Sequence, residues 1–199
     1  MGGRRALLVA NGPGRENAAK SVELAAEQFP IAAIVSTGFA GALDPSLKVG
    51  DAFLAGRVIQ FEGGLKYPVE LPAKPLETPA IVGTLLTIDH VAQDASTKAS
   101  LRQHGAGAVD MEAAAIAQQA AQRGLPFYCV RAISDKAATN LGIDFNAARR
   151  SDGTFSGWRI AGQAGLSPSR WLELFSLWRD AQKAAATLAR LLTQCRFTT

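Results

Sequence analysis

With 199 residues, 48% hydrophobic and 19% charged, the chain has apolar material for a sizeable core, and no segment is polar and charged enough to stay disordered. The formal net charge of +4 mildly favours anionic ligands, but the basic residues (Arg4, Arg5, Arg149, Arg150, Arg196) are scattered rather than drawn into a stripe with aromatics, so no nucleic-acid partner is expected. Two cysteines, Cys129 and Cys195, and two histidines, His90 and His104, without ligand spacing argue against a disulfide framework and against a bound metal.

In chain order, Ala6–Ala10 reads as a buried strand that stops at the turn signal Asn11-Gly12-Pro13-Gly14. Glu16–Phe29 carries helical spacing at Ala19, Val22, Ala25 and Ala26, and Pro30 ends it. Ile31–Ser36 is a second buried strand running into Thr37-Gly38-Phe39-Ala40-Gly41, and Asp51–Phe61 a third. The proline-rich stretch from Glu62 to Pro79 reads as a loop. Ala80–Ile88 is strand-like, Ala95–His104 helical, Ala108–Asp110 a brief strand, and Glu112–Arg123 an alanine-rich helix closed by Gly124 and Pro126. Phe127–Ser134 is the last clear strand, and Asn146–Gly165 an irregular excursion. Ser167-Pro168 then opens a long amphipathic helix over about 168–195. On it Trp171, Phe175, Trp178, Ala185, Leu188 and Leu192 form one stripe, whose tryptophans suit core or dimer packing. The alternation predicts one α/β domain spanning 1–199, with helices layered on a central sheet. The N-terminus lacks the apolar stretch of a signal peptide, and no run reaches the roughly 20 apolar residues that span a bilayer. The cytoplasm is the expected compartment.

Three segments could carry chemistry. Ser36-Thr37-Gly38-Phe39-Ala40-Gly41 ends a buried strand, where open α/β sheets bind ligands, and its small residues let a flat ring approach the backbone. The plainer alternative is a tight turn. Val109-Asp110-Met111-Glu112 delivers two carboxylates to a helix start. Both could simply complement the helix dipole, worth about 0.3–1 kcal/mol each. Alternatively Glu112, turned outward, could accept hydrogen bonds from two sugar hydroxyls, each contributing roughly 1.5–3 kcal/mol. In Arg131-Ala132-Ile133-Ser134-Asp135 a strand again ends in a carboxyl group. Asp135 could cap the next segment, or protonate a departing base, an effect worth about 10²–10⁴ in rate.

Taken together, STGFAGALDPSLKVGD, then VDMEAAAIA, then RAISD resemble the nucleoside phosphorylase and methylthioadenosine/S-adenosylhomocysteine nucleosidase superfamily, over about Leu7 to Asp135. The resemblance implies a three-layer α/β/α fold with a mixed, twisted central sheet. It implies cleavage of the N-glycosidic bond of a purine nucleoside with no organic cofactor. Asp135 and Glu112 would be catalytic, one assisting base departure and the other holding the ribose. Met111 would contact the sugar, Ala40, Gly41 and Ser134 would lie beside the base, and Val91 would stand where the family stacks an aromatic. Two departures concern the nucleophile. The family's usual first strand, whose loop serves the nucleophile, has no counterpart here, and Ser36 and Phe39 occupy positions where phosphorylases carry arginine and serine. Gly14 and Arg15, at a helix start that attracts anions, are the substitute for holding phosphate as co-substrate. The run RRSDGTFSGWRIAG with LSPSRWLELFSLWRDAQKAA is similar in pattern to hopanoid-associated phosphorylases, which suits a bulky 5′ substituent on adenosine. A homo-oligomer, a dimer first, is also implied. The competing reading is a non-catalytic nucleoside-binding protein without the nucleophile element.

Overall fold

The computed structural model describes residues 6–73, 76–150 and 152–198, so Arg4 and Arg5 lie outside the described residues. The elements run α1 (Arg15–Gln28), β1 (Ile34–Ala42), β2 (Ala52–Gln60), β3 (Lys66–Pro68), β4 (Ala80–Thr87), α2 (Ala95–Arg102), β5 (Ala108–Asp110), α3 (Ala113–Gln122), β6 (Phe127–Asp135), α4 (Phe145–Ala148), α5 (Gly157–Ala164) and α6 (Pro168–Gln194). The strands form one sheet in the order β3-β2-β4-β5-β1-β6. It is mixed: β1–β6, β2–β4 and β4–β5 are parallel, while β1–β5 and β2–β3 are antiparallel. β2 also pairs antiparallel with β6 at Ala52–Leu54, so the sheet curls until its two sides meet.

Period-two alternation sorts the core. Phe127, Cys129 and Ile133 of β6 point to a cluster that includes Val22 of α1 and Ala113, Ala114, Ala117 and Ala120 of α3. Val130 points the other way, to Leu191 of α6 and Cys195. A third cluster joins Leu86, Ile88 and Val109 to Leu101 of α2. Helices therefore cover both faces of the sheet, and the small residues of α3 let it sit close. Both cysteines are free and buried, and burial pushes the Cys129 thiol up to about 12.

Four readings of the sequence need correction. Residues 6–10 form no strand and are exposed, with Leu8 at 86%, because among the described residues no neighbouring strand bonds to them. The glycine-rich segment at 37–41 is not a turn; it lies inside β1, paired residue by residue with β6. The stretch read as a loop contains β3, hydrogen-bonded to β2. The irregular excursion holds two short helices, α4 and α5, with Asp144 and Ser156 capping them. The long terminal helix begins as expected, with Ser167 as N-cap and proline in its first turn. The aromatic part of its stripe, however, is not core: Trp171, Phe175 and Trp178 are exposed, whereas Leu188 and Leu192 pack against the cluster of Val130 and Leu191, and the buried positions are Ala184, Thr187 and Leu191. Among the described residues, no helix is long and apolar enough to cross a membrane.

Candidate active site

The site is built where β1, β5 and β6 end side by side. Gly41 pairs across the sheet with Val109 of β5 on one side and with Asp135 of β6 on the other. Two strand spacings of about 4.8 Å place the two outer backbones roughly 10 Å apart. The step from Ala40↔Ile133 to Gly41↔Asp135 leaves Ser134 as an extra residue, a β-bulge. In a regular strand neighbouring side chains point to opposite faces; the bulge re-aims them. Ser134 Oγ thus donates to Asp135 Oδ1 at 2.7 Å, with the Ala40 carbonyl also in reach at 3.3 Å. A Cβ on Gly41 would lie 3.1 Å from Asp135 Oδ2 and 3.4 Å from Val109, so glycine makes room for the carboxylate. Asp135 caps no helix: the residues after it form a turn, and its carboxylate accepts from Ser134 and Lys98.

The two carboxylates after β5 divide their labour. Asp110 is buried and accepts from Thr87 Oγ1 at 2.6 Å, from the Ala113 amide at 2.9 Å and from the Arg131 guanidinium at 2.7 Å. It caps α3 and ties that helix to β4 and β6. Ser36, also buried, accepts from Arg131 at 2.8 Å. Glu112 holds the N-cap position of α3 without capping it; its Oε1 instead accepts the Gly14 amide at 2.8 Å. Desolvation, with the nearby Asp110 charge, raises the Glu112 pKa, opposed by the Gly14 N–H and by Arg131. Met111 is half-buried between them.

The segments around Gly14 close the other side. Gly14 has φ +100°, which L side chains rarely adopt, so the backbone calls for glycine, and the Arg149 guanidinium occupies the place a Cβ would take. Arg149 also donates to the Asp89 carbonyl, and Asn146 bonds both the amide and the carbonyl of Val91, at 2.8 and 3.0 Å. The loop carrying Val91 is thereby tied to the segment that touches Glu112. Arg15 is paired with Glu62 at 3.1 Å. Phe39 is exposed. A separate open cleft, lined by Leu43, Pro45, Arg102 and Lys136, includes none of the acidic pair at the strand ends. The residue that sequence reasoning missed is Lys98 of α2: its side chain is 1% exposed and its ammonium contacts Asp135 Oδ2. The available signal was a lysine one helical turn before Leu101, on the face of α2 that is buried.

The family model described as the phosphorylase superfamily matches residues 1–82 and 72–154. The chain belongs to the phosphorylase superfamily. Within it, a 5′-methylthioadenosine/S-adenosylhomocysteine nucleosidase of Mycobacterium tuberculosis is 33% identical over 189 residues, covering 71% of this chain and 74% of the relative. The protein of that name from Staphylococcus aureus is 33% identical over 169 residues, covering 72% and 74%. Among solved structures, that nucleosidase from Neisseria meningitidis, in complex with methylthio-immucillin-A, superposes with a TM-score of 0.71 at 21% identity, over 98% of this chain and 81% of that one. The futalosine hydrolase of Helicobacter pylori gives 0.65 at 17% identity, over 92% and 76%. The mixed sheet between helical layers is thus the superfamily's fold.

Proposed function

We propose that the protein hydrolyses the N-glycosidic bond of a purine nucleoside, a 5′-substituted adenosine first among them. The observation that carries this reading is the sheet register at Gly41, which sets Asp135 and the strand leading to Glu112 at one edge, about a nucleoside's length apart. Glu112 accepts hydrogen bonds from the ribose hydroxyls, and Met111 packs against the sugar. Ala40, Gly41, Ser134 and Val91 form the base side. Asp135 takes up a proton from solvent as the substrate binds and passes it to, or shares it with, the departing purine. As the C–N bond breaks, its electron pair leaves with the base, and the anomeric carbon gains oxocarbenium character. Water bonds to that carbon and releases its surplus proton to solvent. No organic cofactor enters the scheme.

Water is favoured over phosphate by the charges near Arg15. The guanidinium is paired with Glu62, and the neighbouring Gly14 amide is taken by Glu112. A phosphate held there by Gly14 and Arg15 would have to displace one carboxylate and lie beside another. The curated relatives, at about one-third identity, carry the name nucleosidase. The test is incubation with 5′-methylthioadenosine, adenosine and inosine, with and without phosphate. Free base is expected at equal rates in both, and Arg15→Ala should leave that equality intact. Release that requires phosphate and disappears in Arg15→Ala would replace water by phosphate. Binding without release would replace the enzyme by a nucleoside-binding protein.

The exposed apolar side chains Trp171, Leu172, Phe175 and Trp178 along α6 support a homo-oligomer, a dimer first. Covering them removes apolar surface from water at about 25 cal/mol per Å², which offsets the freedom lost on association. In sedimentation velocity the wild type should run as a dimer and the double variant Phe175→Glu/Trp178→Glu as a monomer. A monomeric wild type would refute the assignment.

A further inference from the structure

The carboxylate of Asp135 is held on three sides. Its Oδ1 accepts the Ser134 hydroxyl at 2.7 Å, its Oδ2 accepts the Lys98 ammonium, and both oxygens fill the room that the missing Cβ of Gly41 leaves. Lys98 reaches this point from the buried face of α2, and its second hydrogen bond goes to the Lys136 carbonyl at 2.8 Å. The ammonium therefore grips the end of β6 twice, once through a side chain and once through the backbone just beyond it. An ammonium removed from water needs a charged or strongly accepting partner. A carboxyl group that protonates a ligand needs a fixed plane if its proton is to point at the reacting atom. One contact satisfies both requirements.

We infer that Lys98 is a positioning residue for departure of the base. It acts through Asp135, fixing the plane of that carboxylate, and it exchanges no proton with the substrate. The assignment rests on the function proposed above and extends it to a residue on a different element. It has a consequence that a merely structural ion pair lacks. If Lys98 works only through leaving-group protonation, its loss should matter only when the base needs a proton in order to leave. A purine already methylated at N7 departs as a neutral base without one.

The experiment compares 5′-methylthioadenosine with its N7-methylated form, using wild type, Lys98→Met, Asp135→Asn and the double variant. For Lys98→Met, kcat on the unmodified substrate should fall by about 10²-fold, the scale of a misplaced catalytic group, with KM little changed. On the methylated substrate kcat should stay close to wild type. Added to Asp135→Asn, the lysine change should cause no further loss, because both act in one step. Equal losses on both substrates from Lys98→Met, beside a selective loss from Asp135→Asn, would overturn the Lys98 assignment alone. An unselective Asp135→Asn would sink the functional reading and this inference with it. Should Lys98→Met fail to fold, Lys98→Arg carries the same comparison: it keeps the charge but not the point contact, and losses equal on both substrates again overturn the proposal.

Discussion

Asp135→Asn is expected to lower kcat for base release by about 10²–10⁴-fold, the usual worth of a positioned general acid, while KM moves little. The substitution is nearly isosteric. The amide oxygen can still accept one of the hydrogen bonds now donated by Ser134 and Lys98. The space above Gly41 also stays filled. What the amide cannot do is hand a proton to a departing purine. It also leaves the buried Lys98 without its counter-charge, so some stability will be lost, and turnover must be measured well below the melting transition and referred to folded protein. A direct assay of free base by chromatography decides the matter. A kcat within a few-fold of wild type would remove Asp135 from the mechanism, and with it the reason to regard this sheet edge as catalytic.

Most of the sheet and helix order was legible because apolar runs and helical spacing are local. The strand expected at Phe127–Ser134 is β6 extended by one residue, and the helix expected at Glu112–Arg123 is α3 together with its two cap positions. What was not legible depends on partners. Ala6–Ala10 has the composition of a buried strand, but burial is a property of the neighbour, and none bonds to it among the described residues. The segment at 37–41 is poor in β-formers, and its strand character comes from pairing with β6. Trp171, Phe175 and Trp178 follow a helical period that signals a covered face without saying what covers it. At the site, Asp110 and Glu112, separated by Met111 alone, offer identical electrostatic arguments at a helix start. Only the tertiary fold, by bringing Arg131 and Thr87 to one and Gly14 to the other, gives them different roles. The bulge at Ser134 and the reach of Lys98 across from α2 are likewise products of register and packing.

That division of roles leads to the largest expected effect on stability. Asp110→Ala should destabilise the protein by about 3–5 kcal/mol, because it strands a buried guanidinium. For a chain of this length that is on the order of 10 °C in Tm. The side chains of Arg131 and Asp110 are 2% and 1% exposed, so water cannot replace the lost carboxylate. Ser36 Oγ at 2.8 Å and the Val130 carbonyl at 3.1 Å would remain as neutral acceptors for a full charge. The substitution also removes the acceptor for the Ala113 amide, unpinning the start of α3 one residue after Glu112. Thr87 links the damage further, since its hydroxyl donates to Asp110 and accepts from the Ala114 amide at 3.1 Å. Thermal or urea unfolding measures the loss, and a second variant tells its origin. If the stranded charge dominates, Asp110→Ala/Arg131→Met should be more stable than Asp110→Ala alone, since removing both ions removes the desolvation penalty. If instead the cap and the Thr87 contact dominate, the second substitution should recover nothing. The first outcome would make Asp110 the counter-ion that lets Arg131 be buried beneath the site; the second would make it chiefly the fastener of the helix that presents Glu112.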